Sequence, residues 1–418
     1  MRTRLARHLL LAVLIVAWTV NASPEAMAAV TSSVDQGVLS VTSDAEGDRI
    51  AIRCDDTGQV QVNGASPDTG AALCTDITSI VVDAGAGDDD VNVPLVDSTT
   101  FPAVTSVSID GGEGSDAIRA SKLPDSILGG PGADSINAAS PELGDAIDGG
   151  EGLDYLRALI VDDVTVSDTT FTFSGSSSSV TSIEELSIGA SDADEAIDAR
   201  SYSGSLIVQS NGGNDSVVGG SGPNSINAGD GDDSVTGGPV RDDIQTGSGR
   251  DEASGRSGAD SFLDLEGADR LVGGGGTDEF FLGTYRSGGG NTFIGGPGRD
   301  RVLVLVPVDP VLLIDTRLRS ADALAHLRSI EFAVISGHEE SGALHIDAQG
   351  FSGDTALSGD YGDDVILGGT GNDRIFGSYG GDELFGGPGS DLLEGGPGSD
   401  RCEGGPGRDR TMHCEQRQ

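Results

Sequence analysis

The side chains in this sequence best placed to do chemistry are aspartates that recur at one place in a nine-residue unit. From Gly359 the chain reads GDYGDDVIL, GGTGNDRIF, GSYGGDELF, GGPGSDLLE, GGPGSDRCE and GGPGRDRTM without losing phase. Each unit has glycine at places one and four and aspartate at six, and the first four units carry a large aliphatic residue at eight. In GGTGNDRIF, Gly368, Gly369 and Gly371 are expected to supply the positive φ angles of a tight turn, and Asn372 tolerates the same region. Gly386, Gly387 and Gly389 stand at the same places two units on. Such a turn directs carbonyl oxygens inward, and Asp373 sets a carboxylate beside them. Hard oxygen donors without thiolate or imidazole select calcium; magnesium is less suited because it demands strict octahedral geometry and keeps its waters.

The elements that must position these turns are short. Arg374-Ile375-Phe376 predicts a brief strand with Ile375 pointing inward. Burying that side chain contributes roughly 1.5 to 3 kcal/mol, whereas ordering nine residues costs roughly 9 to 18 kcal/mol of backbone entropy. Backbone ladders and metal must supply the difference. The unit also recurs upstream. One copy starts at Ala84, five run from Gly111 to Arg157, eight run in strict register from Ser210 to Phe281, and one starts at Gly295, for 21 with the C-terminal six. Repetition of this kind predicts a solenoid.

The consensus GGxGxDxUx, with U a large apolar residue, resembles the RTX, or haemolysin-type, calcium-binding repeat. The resemblance covers about half the chain by these 21 units and implies an all-β, right-handed parallel β-roll. In such a roll successive units alternate between two sides, and calcium sits between turns two units apart with the sixth-place Asp as a ligand. The implied side-chain ligands are Asp364, Asp373, Asp382, Asp391, Asp400 and Asp409 at the C-terminus. In the middle array they are Asp215, Asp233, Asp242, Asp251, Asp260, Asp269 and Asp278, followed by Asp300; in the first array they are Asp116, Asp125, Asp134, Asp145 and Asp154. Departures matter too. Asn224 replaces the ligand, Val240 replaces a turn glycine, Leu123 and Leu143 occupy the fourth place, and Thr246 and Asp264 occupy the first. Cys402 and Thr411 replace the inward aliphatic, which suits a capping end.

Composition supports a narrow core. The 418 residues include 66 glycines and 4% aromatics, and the formal charge is −44. A compact state with that charge repels itself unless cations enter it, and nucleic acid and anionic membrane surfaces are poor partners because binding there needs clustered Lys and Arg. Arg2, Arg4 and Arg7 before the apolar run Leu9 to Trp18, with Ala26-Met27-Ala28 behind it, form the pattern of a secretory signal peptide. Its removal before Ala29 takes the charge to −46, and no other run is long enough to span a bilayer. Four cysteines in an exported chain favour disulfides, here the local pairs Cys54–Cys74 and Cys402–Cys414, over a zinc site flanked only by His413.

Residues 158–209 and 304–358 lose the glycine pattern and gain strand-like runs such as Ala158-Leu-Ile-Val161. They also resemble each other. Ser182-Ile183-Glu184 matches Ser329-Ile330-Glu331, and Ile197-Asp198-Ala199 with Tyr202-Ser203-Gly204 matches Ile346-Asp347-Ala348 with Phe351-Ser352-Gly353. An internal duplication is expected, with the chain divided into 1–28 (signal), 29–110 (β-rich, one unit), 111–157 (first array), 158–209, 210–303 (second array), 304–358, and 359–418 (third array and cap). Residues 31–80 predict short strands. Ser320 to Ser329 is the one stretch that predicts a helix, with Leu324 and Leu327 on one face.

No catalytic motif is found: His338-Glu339-Glu340 with His345 lacks the H-E-x-x-H spacing, and no G-x-S-x-G elbow occurs. Asp162-Asp163 is uninformative as a glycosidase pair among 68 acids, and Tyr155, Tyr202, Tyr285, Tyr361 and Tyr379 read as scattered outward side chains rather than a sugar-stacking face. The expectation is an exported, non-enzymatic calcium-binding protein with a structural, adhesive or surface-associated role, its partner an extracellular or cell-surface polysaccharide or protein. The alternative is a secreted carbohydrate-active lyase or epimerase.

Overall fold

The computed structural model describes residues 30–138, 144–173, 176–282, 290–306, 310–320, 324–337 and 342–417. The signal segment, Leu143, Tyr285 and His338-Glu339-Glu340 lie outside them. Within each unit a strand of about three residues alternates in burial, so that in Ser234-Val235-Thr236 only Val235 faces inward. One such contact cannot hold a strand by itself. Two units therefore make one coil, each giving a strand to a different sheet.

Both sheets are long parallel ladders. Arg374–Tyr379 pairs with Asp354–Tyr361 on one side and Leu392–Glu394 on the other. The intervening strands Val365–Leu367 and Glu383–Phe385 pair with each other in the opposite sheet. The first sheet begins at Thr31–Asp35 and ends at Gln416–Arg417; the second begins with the antiparallel hairpin Arg49–Cys54 and Val60–Val62 and ends at Arg410–Met412. Among the described residues no pairing joins Arg410–Met412 back to Arg49–Cys54, so the second sheet is open-ended.

The core is a double file between the sheets. Val217, Val235, Ala253 and Leu271 from one sheet and Ile226, Ile244, Phe262 and Phe280 from the other are all at most 2% exposed. Phe262, Phe280 and Phe293 stack with centroids 5.1 and 5.3 Å apart, so the few aromatics sit where the file needs bulk.

The two segments without the glycine pattern stay in the same ladders. After Tyr155–Leu159, the strands Val164–Ser167, Thr170–Phe173 and Ser176–Thr181 form an antiparallel meander in the first sheet. Its outer members pair in parallel with Ala196–Ser201 and with Ala146–Gly152. Val311–Ile314, Arg317–Arg319 and Leu324–Arg328 repeat this arrangement between His345–Gly350 and Asn291–Ile294. The copies match in detail: Ser182 and Ser329 both have positive φ, and Ser203 and Ser352 donate their N–H to Asp168 and Asp315.

The helix expected over Ser320 to Ser329 is not formed, because Leu324–Arg328 is a strand. Ala325 and Leu327 face the core at period two, and hydrogen-bonding strands lie on both sides. Those ladders outweigh the single three-residue spacing of Leu324 and Leu327 that suggested a helix. The cysteines form the two expected local bonds, Cys54–Cys74 and Cys402–Cys414, which leaves no thiolate for zinc.

Candidate metal centres

Each coil carries two glycine turns, and the sixth-place aspartates line the inside of both. Their geometry repeats every two units. The backbone N–H of Asp364 donates to Oδ1 of Asp382 at 2.9 Å, and Asp382 donates to Asp400 at 2.9 Å. On the other side Asp373 donates to Asp391 at 2.9 Å and Asp391 to Asp409 at 3.0 Å. The middle array has one ladder through Asp215, Asp233, Asp251 and Asp269 and another through Asn224, Asp242, Asp260, Asp278 and Asp300. In the first array Asp116, Asp134 and Asp154 form one ladder, and Asp125 and Asp145 the other. Every aspartate expected as a ligand therefore lies in one of six ladders. All are at most 4% exposed apart from Asp409, which is half-buried.

One carboxylate oxygen is used by the ladder and the other is not. Oδ2 of Asp116, Asp134, Asp154, Asp215, Asp233, Asp251, Asp260, Asp278, Asp300, Asp364, Asp382, Asp391 and Asp400 is buried without a hydrogen-bond partner. Oδ2 of Asp373 and Asp242 accepts from Gly369 and Gly238, and Asp125 is held by Ser121. Buried charges left this way cost several kcal/mol each unless a cation or proton joins them. Burial, reinforced by neighbouring carboxylates, pushes Asp251, Asp260 and Asp364 up to about 7. Burial likewise raises Asp215, Asp300 and Asp391 to about 6.

Many turn glycines take positive φ, as Gly229, Gly231, Gly247 and Gly249 do, but in the unit from Gly368 they serve space rather than angle. None of Gly368, Gly369 and Gly371 lies in the positive-φ region expected from the sequence. Instead, a Cβ on Gly368 would meet Asp373 Oδ2 at 2.7 Å, and one on Gly369 or Gly371 would meet the Phe351 or Gly353 carbonyl at 2.4 or 2.3 Å. A Cβ on Gly386 would come 2.5 Å from Asp391 Oδ2, and one on Gly389 would come 1.9 Å from the Gly371 carbonyl. Gly387 does have positive φ, at 92°. The first glycine thus clears room for the carboxylate, and the later ones let turns stack carbonyl against backbone.

These residues fit calcium. The turns present only oxygen donors, and their unpartnered carboxylate atoms are spaced one coil apart. Among the described residues no three His, Cys, Asp or Glu side chains converge on one point, so backbone carbonyls must complete any coordination sphere, as calcium's high coordination number allows. The ion would supply positive charge between stacked turns.

Several ladder members escape the sequence pattern. Asp48 donates to Asp89, the sixth-place aspartate of the unit from Ala84, and Asp89 donates to Asp116, so that Asp48 extends the first ladder toward the N-terminus. Glu184, Glu331 and Glu415 accept from Asp154, Asp300 and Asp400 and end their ladders. Asn291 ends another, and Glu195 and Thr355 begin two more. Their only signal in the sequence is phase: Asp48, Glu184 and Glu195 each precede an inward Ile50, Leu186 or Ile197 by two residues. Other candidates have structural roles. Asp163 accepts from the Ala196 N–H, Tyr202 is buried with its hydroxyl donating to the Ile183 carbonyl, and Tyr361 and Tyr379 stack on each other at 5.0 Å.

Comparison with known families matches the RTX calcium-binding nonapeptide repeat (4 copies) to residues 109–140, 209–244, 236–263, 245–280, 349–378 and 376–410. No curated protein matches the chain.

Proposed function

Because this chain carries several copies of the RTX calcium-binding nonapeptide repeat, we propose that it is an exported, non-enzymatic β-solenoid. Calcium assembles it, and it serves a structural or adhesive role at or beyond the cell surface. The observation that supports this reading is the ladder of buried carboxylates whose second oxygen has no partner. Without a cation these groups oppose the compact state; with one they bind neighbouring coils together, so binding and folding become a single event. Free calcium at ten times the dissociation constant contributes about 1.4 kcal/mol per site, and sites repeated along one ladder act together.

Calorimetric calcium titration of the exported chain, with circular dichroism alongside, tests the assembly step. The expected result is several ions per chain and a gain of β signal that EDTA reverses. A spectrum unchanged by EDTA would refute it. Incubation with a panel of acidic and neutral polysaccharides tests the non-enzymatic part, and release of new reducing or unsaturated ends would replace this reading with that of a carbohydrate-active enzyme.

A further inference from the structure

The coil that leads into the middle array contains buried oxygens that no recognised repeat explains. Glu195 lies in residues 190–195, ahead of the matched segment that starts at 209, yet it occupies the ladder place of an aspartate. Its N–H donates to Asp215 Oδ1 at 2.8 Å. It is 3% exposed; Oε1 accepts from the Ser191 hydroxyl, and Oε2 has no partner.

The facing turn adds a hydroxyl, as Thr246 does two coils further on. Ser210 holds the first place of its unit, where the units stacked on the same side carry Ala228, Thr246 and Asp264; it is 0% exposed and its Oγ has no partner. In units of the opposite side a Cβ at the first place would come 2.1 or 2.2 Å from the carboxylate five residues on, as at Gly255 and Gly237, so the first place of a unit lies beside its own sixth-place carboxylate. For Ser210 this is Asp215, whose Oδ2 is also unpartnered and which feels the charge of Glu195. Gly213 brings this turn against the preceding one, since a Cβ on it would lie 2.2 Å from the Ala193 carbonyl. Asn214 N–H fixes the pair through Asp194 Oδ1 at 2.7 Å.

We propose that Glu195, Ser210 and Asp215, with carbonyls of the 190–194 turn, hold a calcium ion that joins the first three-stranded insert to the middle array. All the donors are hard oxygens, two carry charge, and no nitrogen or sulfur ligand is present, which selects calcium over transition metals. Glu195 and Asp215 are successive members of one ladder, joined by the Glu195 N–H to Asp215 Oδ1 bond, and each keeps one buried oxygen without a partner. Glu195 lies outside the nonapeptide pattern that Ser210 and Asp215 begin, and the site rests on the reading that the arrays bind calcium.

The test uses the exported chain and calcium alone. Calorimetry and calcium-dependent amide exchange are measured on the parent, Glu195→Gln and Ser210→Ala. The expected result is one ion fewer per chain in E195Q and calcium-dependent protection lost at Glu195 and Ser216 but kept at Asp260. For S210A the same site weakens about tenfold or more, the loss of one ligand being worth at least about 1.4 kcal/mol. Full stoichiometry and unchanged protection in both variants would overturn the site while leaving the arrays intact. A parent that binds no calcium would instead overturn the reading of the arrays themselves.

Discussion

Asp364→Asn separates the two roles of a ladder carboxylate, because it keeps the shape and removes the charge. Oδ1 of Asp364 accepts the Leu344 N–H at 2.7 Å, and the Asp364 N–H donates onward to Asp382; an asparagine retains both. Oδ2 is buried, unpartnered and crowded against Gly359, whose Cβ would lie 2.0 Å away. Burial, with the charges of Asp382, Asp363 and Asp360, raises its pKa from 3.8 to about 7. A shift of that size corresponds to about 4 kcal/mol of opposition to folding at pH 8 without calcium. An amide in its place loses that term but needs partners, at a cost of about 1 to 3 kcal/mol if it finds none. Asn224 shows that partners exist, since its Nδ2 reaches the Gly222 carbonyl at 3.0 Å and Asp242 Oδ1 at 2.6 Å. The net expectation in EDTA at pH 8 is a gain of about 1 to 3 kcal/mol. In saturating calcium the sign reverses, because a charged ligand worth about 1.5 to 3 kcal/mol is gone. Urea denaturation followed by circular dichroism in both conditions measures the crossing. A D364N variant less ordered than the parent in EDTA refutes the premise that the buried carboxylate opposes folding.

Further expectations follow from the same geometry. Asp89, Asp125, Asp251, Asp260 and Asp364, raised from 3.8 to about 7 in the folded chain, bind more protons folded than unfolded between those values. Calcium-free stability should therefore be fullest below pH 4 and be lost as pH rises through 7, whereas calcium affinity should fall as pH drops below 7; dichroism in EDTA and calorimetry across pH 4 to 8 check both signs. Gly398→Ala forces a Cβ to 1.5 Å from the Gly380 carbonyl and should cost about 3 kcal/mol or more, while Gly275→Ala, with nothing within 4 Å, should stay within about 0.5 kcal/mol; thermal melts in calcium compare them. Cys402→Ser with Cys414→Ser opens a loop with a sequence separation of 12 and should cost about 3 kcal/mol. In that variant exchange should quicken at Asp400, whose N–H is held by Glu415, and stay slow at Asp116.

Much of this architecture is legible in the sequence because a nine-residue phase fixes both the inward aliphatic and the inward carboxylate. Ile375 and Asp373 cannot exchange places without breaking period two. What escapes is whatever keeps phase but changes type. Glu195, Glu331 and Glu415 hold ladder places with one more methylene, and Thr355 holds one with a hydroxyl, so no aspartate marks them. The role of Gly368, Gly369 and Gly371 was hidden for a different reason. The same residue type serves a positive φ and a close approach, and only three-dimensional contacts show which is needed. The strand at Leu324–Arg328 was obscured because its partners, Asn291–Ile294 and Arg317–Arg319, include one more than thirty residues away.

The two meanders make the sides of the coil unequal. Between Ala146–Gly152 and Ala196–Ser201 the first sheet holds three strands, while the second holds only Glu185–Gly189 between Tyr155–Leu159 and Ser205–Gln209. At roughly 4.8 Å per strand, one side is longer by roughly 10 Å, and the same excess recurs at Val311–Arg328. Because both inserts enter the first sheet, both excesses fall on one and the same side of the coil stack, one at each end of the middle array.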